Sequence, residues 1–438
     1  VKKVGDNLVI RTTEKRLQGD RRTRKTWIKA ANKDKPIVVV GSGPAGESVV
    51  ENLRLSACKS PIIMLTKENI PPYDRVLLSK RMDIDAVRMR PDEYYKDNMI
   101  EVRCDAKVVS FDAAAHSVKL ADGSSIEYSK LILALGGGAR KMTNPGNHLK
   151  GIHNLRTNKN ARLIWKNSKG KDVVCVGASF IGMEAAACVS LHAKSVTVVC
   201  STEEPLPALG TDVGAAFRKY FATKNIKVIT KARVDSIIGD SGDKVKEVLL
   251  TTGEKLPAGM VIAGIGIEPA TKWLEKYGVA LDSRGFILVN SKFETNLRDV
   301  FAVGDATAPP LPFWSLDHYN IQHFQTAQKH GMLAAWAIMG RKHSVEIIPL
   351  FWTLYFMERG CVFAGCAEGF DSTIVHGDID GFLFTKYFIK GDKVVAVAVA
   401  GGKPAAIQFL FLCEQGYRLS RKEVEESSTD DWAHLMHK

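Results

Sequence analysis

No two cysteines of this chain stand as C-x-x-C, and none has the spacing of a zinc site. The eight thiols are Cys58, Cys104, Cys175, Cys188, Cys200, Cys361, Cys366 and Cys413. Several lie inside apolar runs, where a buried free thiol is the plain reading. A reducing, intracellular setting is expected, and no metal site. No apolar run reaches the ~20 residues of a membrane-spanning helix, so no transmembrane segment is expected. The chain opens on Val1 rather than Met, which predicts a longer natural protein with any targeting segment out of view.

What the chain has is length, and basic charge at one end. Its 438 residues exceed one ordinary core and predict two or three domains. Hydrophobic residues at 45% and charged residues at 25% suit a globular protein. Of the net charge of +13, residues 1–35 supply eight, from twelve Lys/Arg against four Asp/Glu. The segment Lys15–Lys25 reads as a solvated linker, and nucleic acid is not expected as a partner. Nothing in the sequence sets an oligomeric state.

Two glycine-rich turns, 136 residues apart, carry the chemistry. The first is Ile37-Val-Val-Val-Gly41-Ser-Gly43-Pro44-Ala45-Gly46, and the second is Val173-Val-Cys-Val-Gly177-Ala-Ser179-Phe-Ile-Gly182. Each follows an apolar run and opens a helical pattern, the setting in which G-x-G-x-x-G holds a dinucleotide. Gly41 permits the tight turn, Gly43 lets a pyrophosphate approach, and Gly46 lets helix and strand pack. The helix start supplies free N–H groups for the phosphates. Glu68 follows the next strand, Ile62–Leu65, where a carboxylate can hold a ribose. In the second turn Ser179 replaces the middle glycine. Cys200 ends the next strand where an acid is common, and Glu203 is the candidate to reach the ribose diol instead. No Arg or Lys stands at that strand end for a 2′-phosphate, so NADH is expected over NADPH.

The pattern around these turns predicts an α/β protein. Two nested Rossmann-like dinucleotide-binding domains, for FAD and NAD, are followed by an α+β C-terminal domain. The expected boundaries are a basic linker at 1–35, the first part of the FAD domain at 36–150, and the NAD(P)H domain at 151–280. The second part of the FAD domain follows at 281–342 and the C-terminal domain at 343–438. Residues 1–10 read as a strand. Phe111–Leu120 and Ser125–Leu133 read as strands around the turn at Asp122-Gly123. Ala215–Lys224 reads as a helix, and Lys244–Leu250 with Glu254–Leu256 as a hairpin. Phe382–Ile389 and Val394–Ala400 read as a second hairpin, with a helix beginning at Gly401–Pro404 and stopped by Gly416.

A third element, Val300-Phe-Ala-Val-Gly304-Asp305, joins the two turns in a combination that resembles the two-dinucleotide flavoprotein disulfide reductase superfamily. By that resemblance Asp305 holds the flavin's ribityl chain. Leu131–Arg140 resembles the superfamily's linker motif, with Leu135 in place of the usual Thr, and puts Arg140 on the flavin side. Gly266 is carried to the nicotinamide side. Disulfide reductases keep a redox cysteine pair after the first glycine unit or in the second domain, and neither region has one here.

Pro72-Tyr-Asp-Arg75-Val-Leu-Leu-Ser79-Lys80 is similar to a motif shared by oxygenase ferredoxin reductases and the apoptosis-inducing factor family. The resemblance implies that Arg75 and Lys80 contact the flavin and that Lys80 pairs with Glu184. Phe351-Trp352-Thr353, Ala364–Asp371 and Lys390–Val397 resemble the Rieske-linked branch of that family. Trp352 is implied beside flavin and nicotinamide, His323 at the flavin, and Gln322 at the nicotinamide, in place of an acid found in some members. Lys80, Glu184 and Trp352 are thus the expected catalytic residues. The activity implied is hydride transfer from NAD(P)H to FAD, with electrons leaving for an iron–sulfur acceptor of Rieske or ferredoxin type. The Rieske [2Fe–2S] domain itself is expected upstream, since residues 1–35 hold no Cys or His. The resemblance also keeps open a cell-death signalling flavoprotein with little turnover, and a mitochondrial or cytoplasmic location.

Overall fold

The computed structural model describes residues 2–4, 7–9, 34–342 and 345–436. The basic segment Lys15–Lys25 lies outside the described residues. Within 1–10 the expected single strand is two, Lys2–Val4 and Asn7–Val9, paired antiparallel.

The first glycine unit builds a parallel five-stranded sheet. Its order is Val300–Ala302, Lys130–Leu133, Ile37–Val40, Ile62–Leu65 and Ile100–Arg103. The central strand Ile37–Val40 is buried along its whole length, as a strand covered on both faces must be, and its β-branched residues suit that place. Helix Pro44–Leu55 follows, with Pro44 in its first turn, where a missing N–H costs nothing.

The second unit repeats the plan with strands Ile152–Asn154, Met260–Ala263, Asp172–Val176, Ser195–Val199 and Ile226–Ile229, all parallel. The chain leaves the first sheet after Leu133 and returns to it at Val300, which pairs with Leu131. The second unit is therefore inserted within the first. The two passages between them, Gly137–Ala139 and Ile267–Pro269, pair antiparallel. A three-stranded antiparallel sheet hangs from each unit.

The last region is one antiparallel sheet, ordered Leu350–Tyr355, Arg359–Gly365, Lys393–Val399, Leu383–Lys390 and Ser372–Asp378. Helix Ala405–Glu414 packs Phe409, Leu412 and Cys413 into the same core as Tyr387 and Val397.

Three local expectations need correction. Phe111–Leu120 is not one strand. Asp112 accepts hydrogen bonds from the N–H groups of Ala114 and Ala115, closing a turn that splits it into Val108–Asp112 and Ser117–Leu120. Ser125–Leu133 likewise divides, its second half Lys130–Leu133 joining the parallel sheet. The helix expected from Ala215 starts a turn earlier, at Thr211. Gly214 fits inside it because a Cβ there would lie 2.3 Å from the Pro205 carbonyl oxygen.

Candidate active site

A cleft of about 950 Å³ opens where the two glycine units and the last sheet meet. Its floor is the first turn. A Cβ on Gly41 would stand 2.1 Å from the Ala134 carbonyl oxygen, and one on Gly46 would stand 2.0 Å from that of Gly41. Gly41 also needs a φ of +117°. Those two glycines are fixed by packing. Gly43 is not, since a Cβ there would meet nothing nearer than Arg75 Nε at 3.9 Å. The bare backbone at Gly43 faces the cleft, as a phosphate cradle requires. Pro44 and Ala45 line the same floor.

Glu68 and Arg75 form one side. Arg75 Nη2 donates to Glu68 Oε1 at 2.5 Å, and the Tyr73 hydroxyl donates to Glu68 Oε2 at 2.8 Å. Arg75 Nη1 also donates to the Tyr73 hydroxyl oxygen, at 2.9 Å. Burial pushes the Tyr73 hydroxyl up to about 12, which keeps it protonated as the donor. Asp305 stands in the cleft wall. Burial raises its carboxyl above the ordinary value, against the pull of Arg156 and Arg75.

Arg156 was not legible in the sequence. It arrives from the second unit between strand Ile152–Asn154 and helix Asn158–Ser168. Thr157 caps that helix by accepting from the Asn160 N–H. Burial lowers the Arg156 guanidinium, and its charge faces Asp305. The one signal was its place just ahead of a Thr-x-x-Asn capping box.

The opposite wall belongs to Lys80, Glu184, Trp352 and His323. Lys80 Nζ lies 2.7 Å from Glu184 Oε1 and 5.0 Å from the centre of the Trp352 ring. The Lys80 and Glu184 side chains are 10% and 4% exposed, so this is a desolvated pair rather than a surface one. Further donors hold the carboxylate. The Thr353 hydroxyl reaches Oε1 at 2.9 Å, and the Ser79 hydroxyl donates to Oε2.

His323 accepts from the Trp352 N–H at Nε2, 3.4 Å away. Burial, with Lys80 beside it, lowers its pKa to about 4, so it is neutral at physiological pH. Nδ1 therefore carries the hydrogen, and it is buried with no partner among the described residues. An orphan donor at Nδ1 and an open cradle at Gly43 fit a bound flavin dinucleotide.

The second turn reaches the cleft through Ser179, with Gly266 and Gln322 nearby. Gly177 and Gly182 act in packing, since a Cβ would meet the carbonyl oxygens of Gly264 at 2.4 Å and Gly177 at 2.0 Å. Five expected residues lie outside the cleft lining: Gly46, Gly177 and Gly182 pack behind it, and Arg140 and Glu203 stand on the surface. Arg140 is exposed, its Nη2 3.5 Å from the Ile267 carbonyl oxygen. Glu203 is exposed and pairs with Lys231 Nζ at 3.0 Å. The expectation of no cation at that strand end is thereby corrected, because Lys231 comes from beyond the neighbouring strand Ile226–Ile229.

Two glycine-turn sheets facing one cleft define a protein that holds two dinucleotides together. Residues 35–331 match the pyridine nucleotide-disulphide oxidoreductase family, and the chain belongs to it. It is an FAD-dependent NAD(P)H oxidoreductase. It is similar to human apoptosis-inducing factor 3, with 34% identity over 99% of this chain and 73% of that protein. Rhodocoxin reductase of Rhodococcus erythropolis is 29% identical, over 82% of this chain and 85% of its own. The same fold occurs in the crystal structure of the covalent putidaredoxin reductase–putidaredoxin complex. There the TM-score is 0.82 at 24% identity, covering 87% of this chain and 93% of the other. Among the described residues no helix is long and apolar enough to cross a membrane.

Proposed function

We propose that this chain takes hydride from NAD(P)H and passes the electrons singly to an iron–sulfur protein of ferredoxin or Rieske type. The observation that carries this reading is the chemistry of the cleft wall. A desolvated Lys80–Glu184 pair and Trp352 stand there, and no thiol lines the cleft among the described residues. A disulfide-reducing relay needs such a thiol. Bound FAD supplies the conversion of a two-electron hydride into single electrons. The chain's own residues bind and tune. Gly43 and the start of helix Pro44–Leu55 receive phosphate, and Glu68 receives ribose. Lys80 would hold a cation beside bound flavin, where it would stabilise negative charge, and Trp352 would wall the cleft on that side. Ser179 and Gly266 would admit the nicotinamide dinucleotide, and the exposed Glu203–Lys231 pair at the rim would meet its ribose end.

The names of the relatives support the acceptor class, since a ferredoxin–NAD(P)⁺ reductase is among them. The similarity to apoptosis-inducing factor 3 also supports a mitochondrial location, which a fluorescent fusion imaged in cells would test. Anaerobic stopped-flow mixing with NADH tests the main reading. The expected result is prompt flavin bleaching, then steady turnover when a [2Fe–2S] protein is added. Bleaching without turnover by any iron–sulfur acceptor would favour a signalling flavoprotein instead.

A further inference from the structure

Among the described residues, Glu184 is the one carboxylate at which all three regions of the molecule meet. It lies on helix Phe180–Val189 of the second unit. Lys80 and Ser79 come from the first unit, and Thr353 comes from strand Leu350–Tyr355 of the C-terminal sheet. The Thr353 hydroxyl and the Lys80 ammonium share one oxygen, Oε1, at 2.9 and 2.7 Å. Glu184 and Thr353 are both buried, at 5% and 2% exposure, so solvent has little access to this pair.

We propose that Thr353 is a positioning residue for the reductase, acting through Glu184 to set how much of the Lys80 charge is felt in the cleft. The proposal rests on the functional reading above and extends it to the C-terminal sheet. A carboxylate oxygen with two donors gives each less than it would give one alone. With the Thr353 hydroxyl in place, part of Oε1 is occupied and the Lys80 ammonium keeps more of its field. Without it, Oε1 turns wholly to Lys80, the pair tightens, and the cation is more fully neutralised. Trp352, the neighbour of Thr353 in sequence, carries its ring 5.0 Å from Lys80 Nζ. One strand therefore both walls the cleft and tunes its charge.

The test is the two-electron midpoint potential of bound FAD, read by absorbance against reference dyes. Thr353→Val removes the hydroxyl and keeps the shape. The expected result is a more negative potential, by about tenfold in the two-electron equilibrium, ~30 mV. Thr353→Ser restores the hydroxyl and should return the potential to the wild-type value. A purely structural role would not be rescued this way without a matching change in thermal stability. Should Thr353→Val fail to fold, Ser79→Ala asks the same question at Oε2, with a smaller shift of the same sign expected. Normal FAD uptake with an unchanged potential in the folded variant overturns the role of Thr353 alone. A wild-type chain that takes up no FAD overturns the functional reading and this proposal with it.

Discussion

The two glycine turns share one packing plan and differ in everything around it. In both, the outer glycines are fixed by carbonyl oxygens about 2 Å from where a Cβ would stand. The first turn is then enclosed. Helix Phe324–Ile338 lies across it, with Gly331 so close that a Cβ would stand 2.4 Å from the Ala45 carbonyl oxygen. Ser48 Oγ donates to the Gln328 carbonyl at 2.6 Å, tying the two helices together. Glu68, the acid proposed for its ribose, is held by Tyr73 and Arg75 and is 18% exposed. The second turn is less covered among the described residues, with Phe351 of the C-terminal sheet packed on Phe180 but no helix lying across the turn as in the first. Ser179 is exposed there, Ile181 is 48% exposed, and Glu203 is 64% exposed. One fold motif thus gives an enclosed, preorganised site and an open one. Enclosure suits a resident cofactor, and openness suits a dinucleotide that must enter and leave.

The strongest way to break this comparison is to place the same clash in each turn. Gly46→Ala puts a methyl against the Gly41 carbonyl in the enclosed unit. It should cost roughly 3 kcal/mol or more and abolish FAD retention, read by absorbance after desalting and by thermal melting. Gly182→Ala makes the equivalent clash in the open unit. FAD should stay bound, while reduction by NADH is lost. Equal loss of FAD in both variants would contradict the asymmetry.

Next in size is the pair between the units. Lys80→Met combined with Glu184→Gln removes the ammonium without stranding a buried carboxylate. FAD should remain, and the rate of its reduction by NADH should fall on the order of 10²-fold in stopped flow.

The position after the last glycine also separates the turns, being Glu47 in the first and Met183 in the second. Glu47 is buried, its Oε2 accepting from the Tyr95 hydroxyl at 2.9 Å and its Oε1 without a partner among the described residues. Burial pushes its carboxyl from 4.5 up to about 7. The folded state therefore binds this proton more tightly than the unfolded chain. The resulting stability is full below about pH 4.5 and is lost as pH rises through 7. Between pH 5 and 8 the wild type should lose up to roughly 3 kcal/mol relative to Glu47→Gln, measured by urea denaturation at each pH.

The smallest effect is expected at the open rim. The Glu203–Lys231 pair is exposed and worth little to stability. Lys231→Ala should raise the KM for NADPH a few-fold with kcat unchanged and leave NADH nearly unaffected. Glu203→Ala should do the reverse.

The strand–turn–helix units were legible because a short apolar run, a glycine turn and a helical pattern agree locally. The hairpin Leu383–Lys390 with Lys393–Val399 was legible for the same reason. The division of Phe111–Leu120 was not, because the turn there is made by the Asp112 side chain rather than by glycine or proline. Arg156 and Lys231 were missed on physical grounds. Each reaches its place from a part of the chain distant from the motif it serves, so the spacing of that motif could not announce it. Lys80 and Glu184 lie 104 residues apart and were paired only through family resemblance, and in the structure their side chains meet at 2.7 Å.

The asymmetry of the two sites is tested most directly by equilibrating the purified protein with FAD and NAD⁺, desalting it, and counting what stays bound. The account predicts one FAD per chain and no nicotinamide dinucleotide. FAD that washes out as readily as NAD⁺, or NAD⁺ that stays as firmly as FAD, would contradict it.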